Sequence, residues 1–445
     1  MFREEINLVM EVFRPEYRIY HLEEETIMHE GEIIRYYRKK AGLSQEQLGK
    51  DICTATHVSK IERGQTKYSP ELVSLFSARL GVDIAQEIHY MRDVKCKLEK
   101  WHISIIMQRM KEVEERKEEL EKYPSILSSK SALFYQLLMA RYYLLHKKEE
   151  KASMLVKSLQ NQTKEMDAFE QNLFKHVSGL CYLEKYNSFL SENRKKAIEI
   201  LESIDGETYK NEEYHYHLAI AYQWVGYHTM AYINAEKAFH YFKRTNAFRR
   251  AIQAESVMLL QYGSVTKTEF KHVEERYKSL ISDCDSLNEP SIKAMLLHNL
   301  GFEYFKRKQY QQAEKFFKQA LLMAPKQSSL YLNRLYNYLD SCIEGSILQK
   351  ADMYTKARDG FHLAQKLKNP LYQHIFSLLL LKLEEKYEDY YQYIEQIALP
   401  FFQSNDHFTM LNKFGQQLYD HYAATKDYEK TVRVGEILKK WHLVR

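Results

Sequence analysis

The stretch that most constrains this 445-residue chain is residues 294–327, AMLLHNLGFEYFKRKQYQQAEKFFKQALLMAPKQ. Its apolar positions fall at helical spacing in two segments. Leu297, Leu300, Gly301 and Tyr304 sit on the first, Ala313, Phe317 and Ala320 on the second, and Pro325 closes the unit. Gly301, Ala313 and Ala320 are small enough for two antiparallel helices to approach closely, while Tyr304 and Phe317 fill the gap that remains. The same spacing recurs at Leu218, Ala219, Tyr222, Ala231 and Ala238, and earlier at Ala140, Tyr143 and Ala152. Gly179, Tyr182 and Ala197 fit it if the loop at 187–192 is about six residues longer. Leu335, Ala357, Phe361 and Ala364 imply a further unit with a lengthened loop near 344–351. Residues 371–404 and 408–441 read as helical hairpins without the small residues, and 247–287 as a poor match, so roughly eight or nine hairpins are expected. Only 14 Gly and 7 Pro accompany 45% apolar residues, which leaves little room for turn-rich sheet. An all-α chain follows.

The 34-residue unit resembles the tetratricopeptide repeat. Units of that kind bury their cores against their neighbours and curl into a right-handed superhelix with a concave inner surface. The resemblance implies that the first helix of each hairpin lines that surface. Tyr216, Ile220, Gln223, His298, Asn299, Phe302, Lys306, Asn333, Tyr336 and Asn337 would then face inward, on a surface suited to an extended or helical peptide. An Asn side chain both donates and accepts, so Asn299, Asn333 and Asn337 could pair with the main chain of a peptide whatever its side chains. The alternative is that they are ordinary solvated residues. The 35 Tyr and 21 Phe fit packing between helices better than a ligand cage.

Nearer the N-terminus the pattern changes to short, capped helices. Ile33, Ile34 and Tyr37 form one face of a first helix that Gly42 ends. Ser44-Gln45-Glu46-Gln47 is a capping box for a second helix, whose inward residues are Leu48 and Ile52. A two-residue turn at Cys53 and Thr54 leads to a third helix, Ala55 to Arg63, with Val58 and Ile61 on its inner side and Thr56, His57, Ser59, Lys60 and Arg63 outside. Ser69-Pro70 starts a fourth, with Leu72, Leu75, Phe76 and Leu80 expected in the core. Two short helices at a tight turn, the second with a polar outer face, suit a major groove, which admits one helix whose polar side chains read base edges.

The run LSQEQLGKDICTATHVSKIERG resembles the phage-repressor type of helix-turn-helix over about 50 residues, which implies a small five-helix lambda-repressor-like domain. By that resemblance Gln45 would hydrogen-bond a phosphate at the helix N-terminus. Thr56, His57 and Lys60 would face base edges, with Thr54 at the start of the helix and Ser59 and Arg63 nearer the DNA backbone. An ordinary solvated polar face is the alternative for each. Between Leu48 and Gly64 the chain is one residue shorter than most such domains, with Ile52-Cys53 in the turn. That departure resembles the peptide-pheromone-responsive regulators of Gram-positive bacteria, the RRNPP group of PlcR and NprR type, in which inward Asn residues also recur.

The resemblance implies a cytoplasmic transcription regulator that binds a double-stranded DNA operator as a homodimer or higher homo-oligomer, controlled by a short signalling peptide. Two alternatives remain: the array binds a protein partner instead, or it acts on a phosphorelay response regulator as inhibitor or phosphatase. The expected organisation is an N-terminal extension (1–30), the DNA-binding domain (31–85), a linker helix (86–125) that either is simply solvated or couples the array to the DNA-binding unit and helps form a dimer, and the repeat domain for peptide binding and dimerisation (126–445). Residues 1–27 precede the usual start of such a domain, where Met28 would stand. They are either a mis-assigned start or an acidic extension packed on the basic domain.

Charge fits that organisation better in its distribution than in its net value of +5. Residues 1–30 hold three Arg and eight Glu, whereas residues 31–81 hold nine Lys/Arg and five Asp/Glu. Five scattered cysteines, without a C-x-x-C pair, argue against a disulfide framework or zinc site and read as reduced, mostly buried thiols. The N-terminus lacks a signal-peptide pattern. The longest apolar run, 376–381, is far below the roughly 20 residues that span a bilayer, so no membrane partner is expected. No P-loop, G-x-S-x-G, H-E-x-x-H or acid pair points to catalysis, and neither cofactor nor metal is expected.

Overall fold

The structure, a computed structural model, describes residues 30–66, 69–123, 131–184, 191–265, 270–405 and 407–442. The N-terminal extension and most of the loop at 187–192 lie outside them. Every regular element among the described residues is helical. The chain forms two compact units that divide between Tyr142 and Tyr143.

The first unit begins with α1 (Glu30–Lys40), α2 (Gln45–Gly49), α3 (Ala55–Glu62) and α4 (Pro70–Leu80). Ser44 and Gln47 form the reciprocal capping box, at 3.0 and 2.6 Å. Ser69 caps α4 with Pro70 in its first turn. Ile33, Ile34, Leu48, Val58, Ile61 and Phe76 are all but sealed from solvent. Gly31 brings α1 against α3 so tightly that a Cβ would lie 1.8 Å from the Ile61 carbonyl oxygen.

Two local expectations fail. Helix α2 stops at Gly49, so the turn covers residues 50–54 rather than two positions. Asp51 adopts φ 57°, and the Ile52 and Cys53 amides fold back onto the Gly49 carbonyl at 2.9 and 2.8 Å. Leu75 is 51% exposed, because at 100° per residue it turns away from the stripe set by Leu72, Phe76 and Leu80. Val73 packs in its place.

The solvated linker helix is the larger correction. Helix α5 (Ile84–Met107) supplies Ile84, Ile88 and Met91 to the same core, so the expected boundary at residue 85 falls inside a helix. It ends where Gln108 turns left-handed, φ 53°, and α6 (Met110–Leu120) folds back on it. Met91, Val94, Leu98, Trp101 and Ile105 are buried at alternating spacings of three and four. Trp101 Nε1 donates to the Val113 carbonyl at 3.0 Å.

Helix α7 (Ala132–Leu145) contains the division between the units, and α8 (Glu149–Leu159) follows it. Seven helix hairpins complete the second unit: α9 (Ala168–Glu184) with α10 (Ser191–Glu202), α11 (Tyr214–Val225) with α12 (His228–Arg244), α13 (Phe248–Val265) with α14 (Phe270–Ser286), α15 (Pro290–Lys306) with α16 (Tyr310–Leu322), α17 (Ser329–Glu344) with α18 (Lys350–Lys366), α19 (Pro370–Leu383) with α20 (387–404), and α21 (Phe408–Ala424) with α22 (Tyr428–His442). This is a tetratricopeptide-like array. Gly301 faces the Phe317 ring, where a Cβ would lie 2.8 Å from it. Gly415 faces Leu438 in the same way at 2.8 Å, so the hairpin at 408–441 does carry a small residue at its contact. The lengthened loop falls at 345–349, against three residues at 307–309.

Helix α20 contains a π-turn, Ile394–Ala398, just before Pro400, whose missing N–H and bulky ring a widened turn accommodates. The turns within and between hairpins place Asn246, Asn288, Lys308, Ser346, Lys368, Glu385 and Lys426 at φ between 51° and 62°. These left-handed positions explain how so many turns coexist with so little glycine. All five cysteines are free thiols, and no described helix is long and apolar enough to cross a membrane.

Candidate nucleic-acid interface and interior cleft

On α3, Val58 and Ile61 face the core while Thr56, Lys60 and Arg63, spaced i, i+4, i+7, are exposed along one stripe. His57 and Ser59 flank it, half-buried. The Arg63 guanidinium donates to Ser59 Oγ at 2.6 Å and to its carbonyl at 3.2 Å. Thr54 is exposed but occupied as the N-cap, its hydroxyl oxygen accepting from the His57 amide at 3.2 Å. Gln45 points inward, its Nε2 donating to Glu62 at 2.8 Å.

Glu62 is the hub of that network. Arg38 meets it with two nitrogens, at 2.5 and 2.9 Å, and gives a third hydrogen to the Leu43 carbonyl at 2.7 Å. Burial pushes the Glu62 carboxyl up, and hydrogen bonds from Arg38 and Gln45 with the Arg38 charge outweigh it, leaving the carboxyl below its ordinary range. Arg79 was not singled out in the sequence. Its Nη1 takes the Leu48 carbonyl at 2.9 Å and the Lys50 carbonyl, satisfying acceptors that the end of α2 leaves open. Helix α3 is thus fixed to α1 by a buried charge pair and to α2 by the Gln45 amide.

In the second unit, helices from several hairpins and the turn after α11 border a cleft of about 340 Å³. Gln223, Trp224 and Tyr227 come from the end of α11 and its turn, and Phe302 and Lys306 from α15. Leu260 and Gln261 of α13, Lys195 and Ile198 of α10, and Phe408, Thr409 and Asn412 of α21 complete the walls. Residues some 200 positions apart in sequence therefore share one space. The Arg194 guanidinium lies 5.6 Å from the Trp224 ring and 5.8 Å from the Phe408 ring. His228 Nδ1 meets Gln261 Oε1 at 2.6 Å.

Of the residues expected to face inward, nine besides Ile220 were expected to contact a ligand, and of these Gln223, Phe302 and Lys306 line this cleft. His298, Asn333 and Asn337 form a separate polar stripe. Asn337 Nδ2 donates to His298 Nε2 at 3.0 Å and to Asn333 Oδ1 at 2.8 Å. Asn299 Nδ2 donates to Ser256 Oγ at 3.0 Å. The Asn337 and Asn299 amide donors are thus engaged within the array itself. Burial, aided by the Arg334 charge, pushes His298 down to about 4 against a weaker opposing bond from Asn299, so the ring is neutral near pH 7.

Tyr216 packs beneath the Arg250 guanidinium, 4.5 Å from its ring centre. Tyr336 is 2% exposed, which places it under Lys413 and not on an open surface. Lys413 Nζ donates to the Tyr336 hydroxyl at 2.7 Å and pairs with Asp340, joining α21 to α17 across the interior. The last hairpin supplied Phe408, Asn412 and Lys413, which sequence inspection missed because its repeat signature is weak. Trp224, 42% exposed, was the one residue whose chemistry could have marked the cleft.

Residues 34–86 match the helix-turn-helix family and residues 294–327 the tetratricopeptide repeat family. The chain is 22% identical over 407 residues to the transcriptional activator NprA of Geobacillus stearothermophilus, covering 83% of this chain and 97% of that protein. It is 22% identical over 342 residues to the regulatory protein RapD of Bacillus subtilis (strain 168), covering 75% and 94%. The apo form of the quorum sensor NprR from B. thuringiensis superposes with a TM-score of 0.64 at 21% identity, over 79% of this chain and 99% of that one. NprR in complex with its cognate peptide NprX gives 0.60 at 20% identity, over 78% and 99%. The chain is thus similar in sequence to NprA and RapD, shares the fold of NprR, and carries a helix-turn-helix at residues 34–86.

Proposed function

We propose that this chain is a cytoplasmic, sequence-specific transcription regulator whose DNA binding is controlled by a short signalling peptide held inside the array. The observation that carries the proposal is the pairing, in one chain, of an exposed Thr56–Lys60–Arg63 stripe on α3 with a cleft walled by residues from α10 to α21. A homodimer would place two such helices in successive major grooves of a near-palindromic operator. Peptide binding would alter the curvature or assembly of the array, and with it the spacing of the two helices. The similarity to NprR, solved with a peptide, supports this reading.

The similarity to RapD supports a second reading, in which the array binds a protein such as a response regulator. Calorimetric titration of the full chain with short peptides encoded beside its gene separates the two. Saturable one-site binding is expected. Absence of heat with every peptide, alongside intact operator binding, overturns peptide control.

A further inference from the structure

We infer that the cleft takes a peptide end that carries a carboxylate, read by Lys195 and Lys306. The inference deepens the peptide reading above and rests on it. Among the described lining residues there are aromatic rings, amides and two lysines, and no Asp or Glu. Lys195 is exposed and makes no ion pair among the described residues. Lys306 does have a partner: its Nζ lies 2.7 Å from Glu303 Oε1. Arg307 claims the other oxygen of the same carboxylate, also at 2.7 Å. Two cations share one buried acid, so this wall keeps a positive excess.

Size limits what enters. About 340 Å³ lies near the lower end of the roughly 300–1,000 Å³ typical of small-molecule sites. An extended heptapeptide reaches up to about 25 Å, so the cleft holds one end of such a ligand and not its whole length. Trp224, Tyr227, Phe302 and Phe408 offer faces for an apolar side chain beside the charge. Gln223 and Asn412 offer amides for main-chain groups. A cationic peptide end would meet repulsion here, whereas an Asp or Glu side chain or a free C-terminus would gain a charge-assisted hydrogen bond.

The test uses the full-length chain and a positional-scanning library of synthetic heptapeptides, made with free and with amidated C-termini. Selected binders are expected to be enriched in Asp or Glu at one end, or to require the free C-terminus; the two arms identify which carboxylate is read. Replacing that group by its amide should weaken binding by about tenfold or more, the scale of one charge-assisted hydrogen bond. Lys195→Gln, which breaks no ion pair among the described residues, should weaken the acidic peptide comparably and the amidated or Asn-substituted one little. Lys306→Gln should act in the same direction. Binders that are neutral or basic, or that ignore both amidation and Lys195→Gln, overturn the carboxylate inference while leaving peptide binding intact. A library with no binder overturns the peptide reading itself.

Discussion

At the scale of single residues, the α3 stripe and two neutral histidines carry the sharpest consequences. Thr56 and Lys60 are exposed on the face opposite Val58 and Ile61, so neither has a packing role to confuse its replacement. Thr56→Ala and Lys60→Ala should each cost about 1–3 kcal/mol of operator discrimination, measured by fluorescence anisotropy at fixed salt against a scrambled duplex. If Lys60 touches only phosphate, its loss will weaken both duplexes alike and reduce the salt slope by about one. Gln45 shows how a side chain can be identified without its direction being known. Its place at the start of α2 was readable, but the buried Glu62 that draws its amide inward lies 17 residues away on another helix.

Protonation gives a second residue-scale test. Burial, with the Arg334 charge, holds His298 near 4, and burial, with Arg194 and His374, holds His407 near 4. The unfolded chain protonates its histidines near about 6.5, so between these values it binds more protons than the folded chain. The stability that comes from keeping both rings neutral is complete above pH 6.5 and is lost progressively as pH falls toward 4. A chain carrying His298→Gln and His407→Gln should therefore lose less melting temperature between pH 7 and pH 5 than the unsubstituted chain. Equal losses would show that neither ring contributes.

At the scale of elements, local signals proved legible where one helix decides its own ends. The Ser44 and Ser69 caps, the Gly42 termination and the repeat at 294–327 all appear where the sequence places them. The failures come from tertiary packing. Residues 86–122 carry a Glu/Lys-rich end that suggests a solvated helix, yet Val94, Leu98, Trp101 and Ile105 are buried, as are Val113 and Leu120 on the helix that packs back on them once Gln108 lets the chain reverse. Nothing in the composition of Gln108 announces a left-handed residue. The hairpin turns raise the same issue seven times over and lead to a prediction. A non-glycine residue in the left-handed region costs roughly 1–2 kcal/mol, and glycine there gives back about 0.5–1 kcal/mol through the unfolded chain. Lys308→Gly and Lys368→Gly should each stabilise the array by about 0.5–1 kcal/mol, seen as a higher urea midpoint at unchanged slope. A drop in midpoint would mean that the side chains do more than cover the turn.

At the scale of the whole molecule, fold class and both functional units could be read from the chain, because each rests on a local, repeated or capped pattern. The cleft could not. Its walls come from residues 195 to 412, and only the closure of successive hairpins brings Phe408 and Asn412 to Gln223 and Trp224. Three of the nine expected ligand residues reached it, and Tyr336 was hidden beneath Lys413 because an inward-facing first helix meets not only a ligand but also another first helix. The central claim joins the two units: what fills the array must change what α3 does. Operator affinity of the full chain, measured at one salt concentration with and without a saturating peptide that calorimetry shows to bind, tests it most directly. A coupling of 1–3 kcal/mol, or about 5- to 150-fold in either direction, is predicted, and an unchanged affinity with the peptide bound would contradict it.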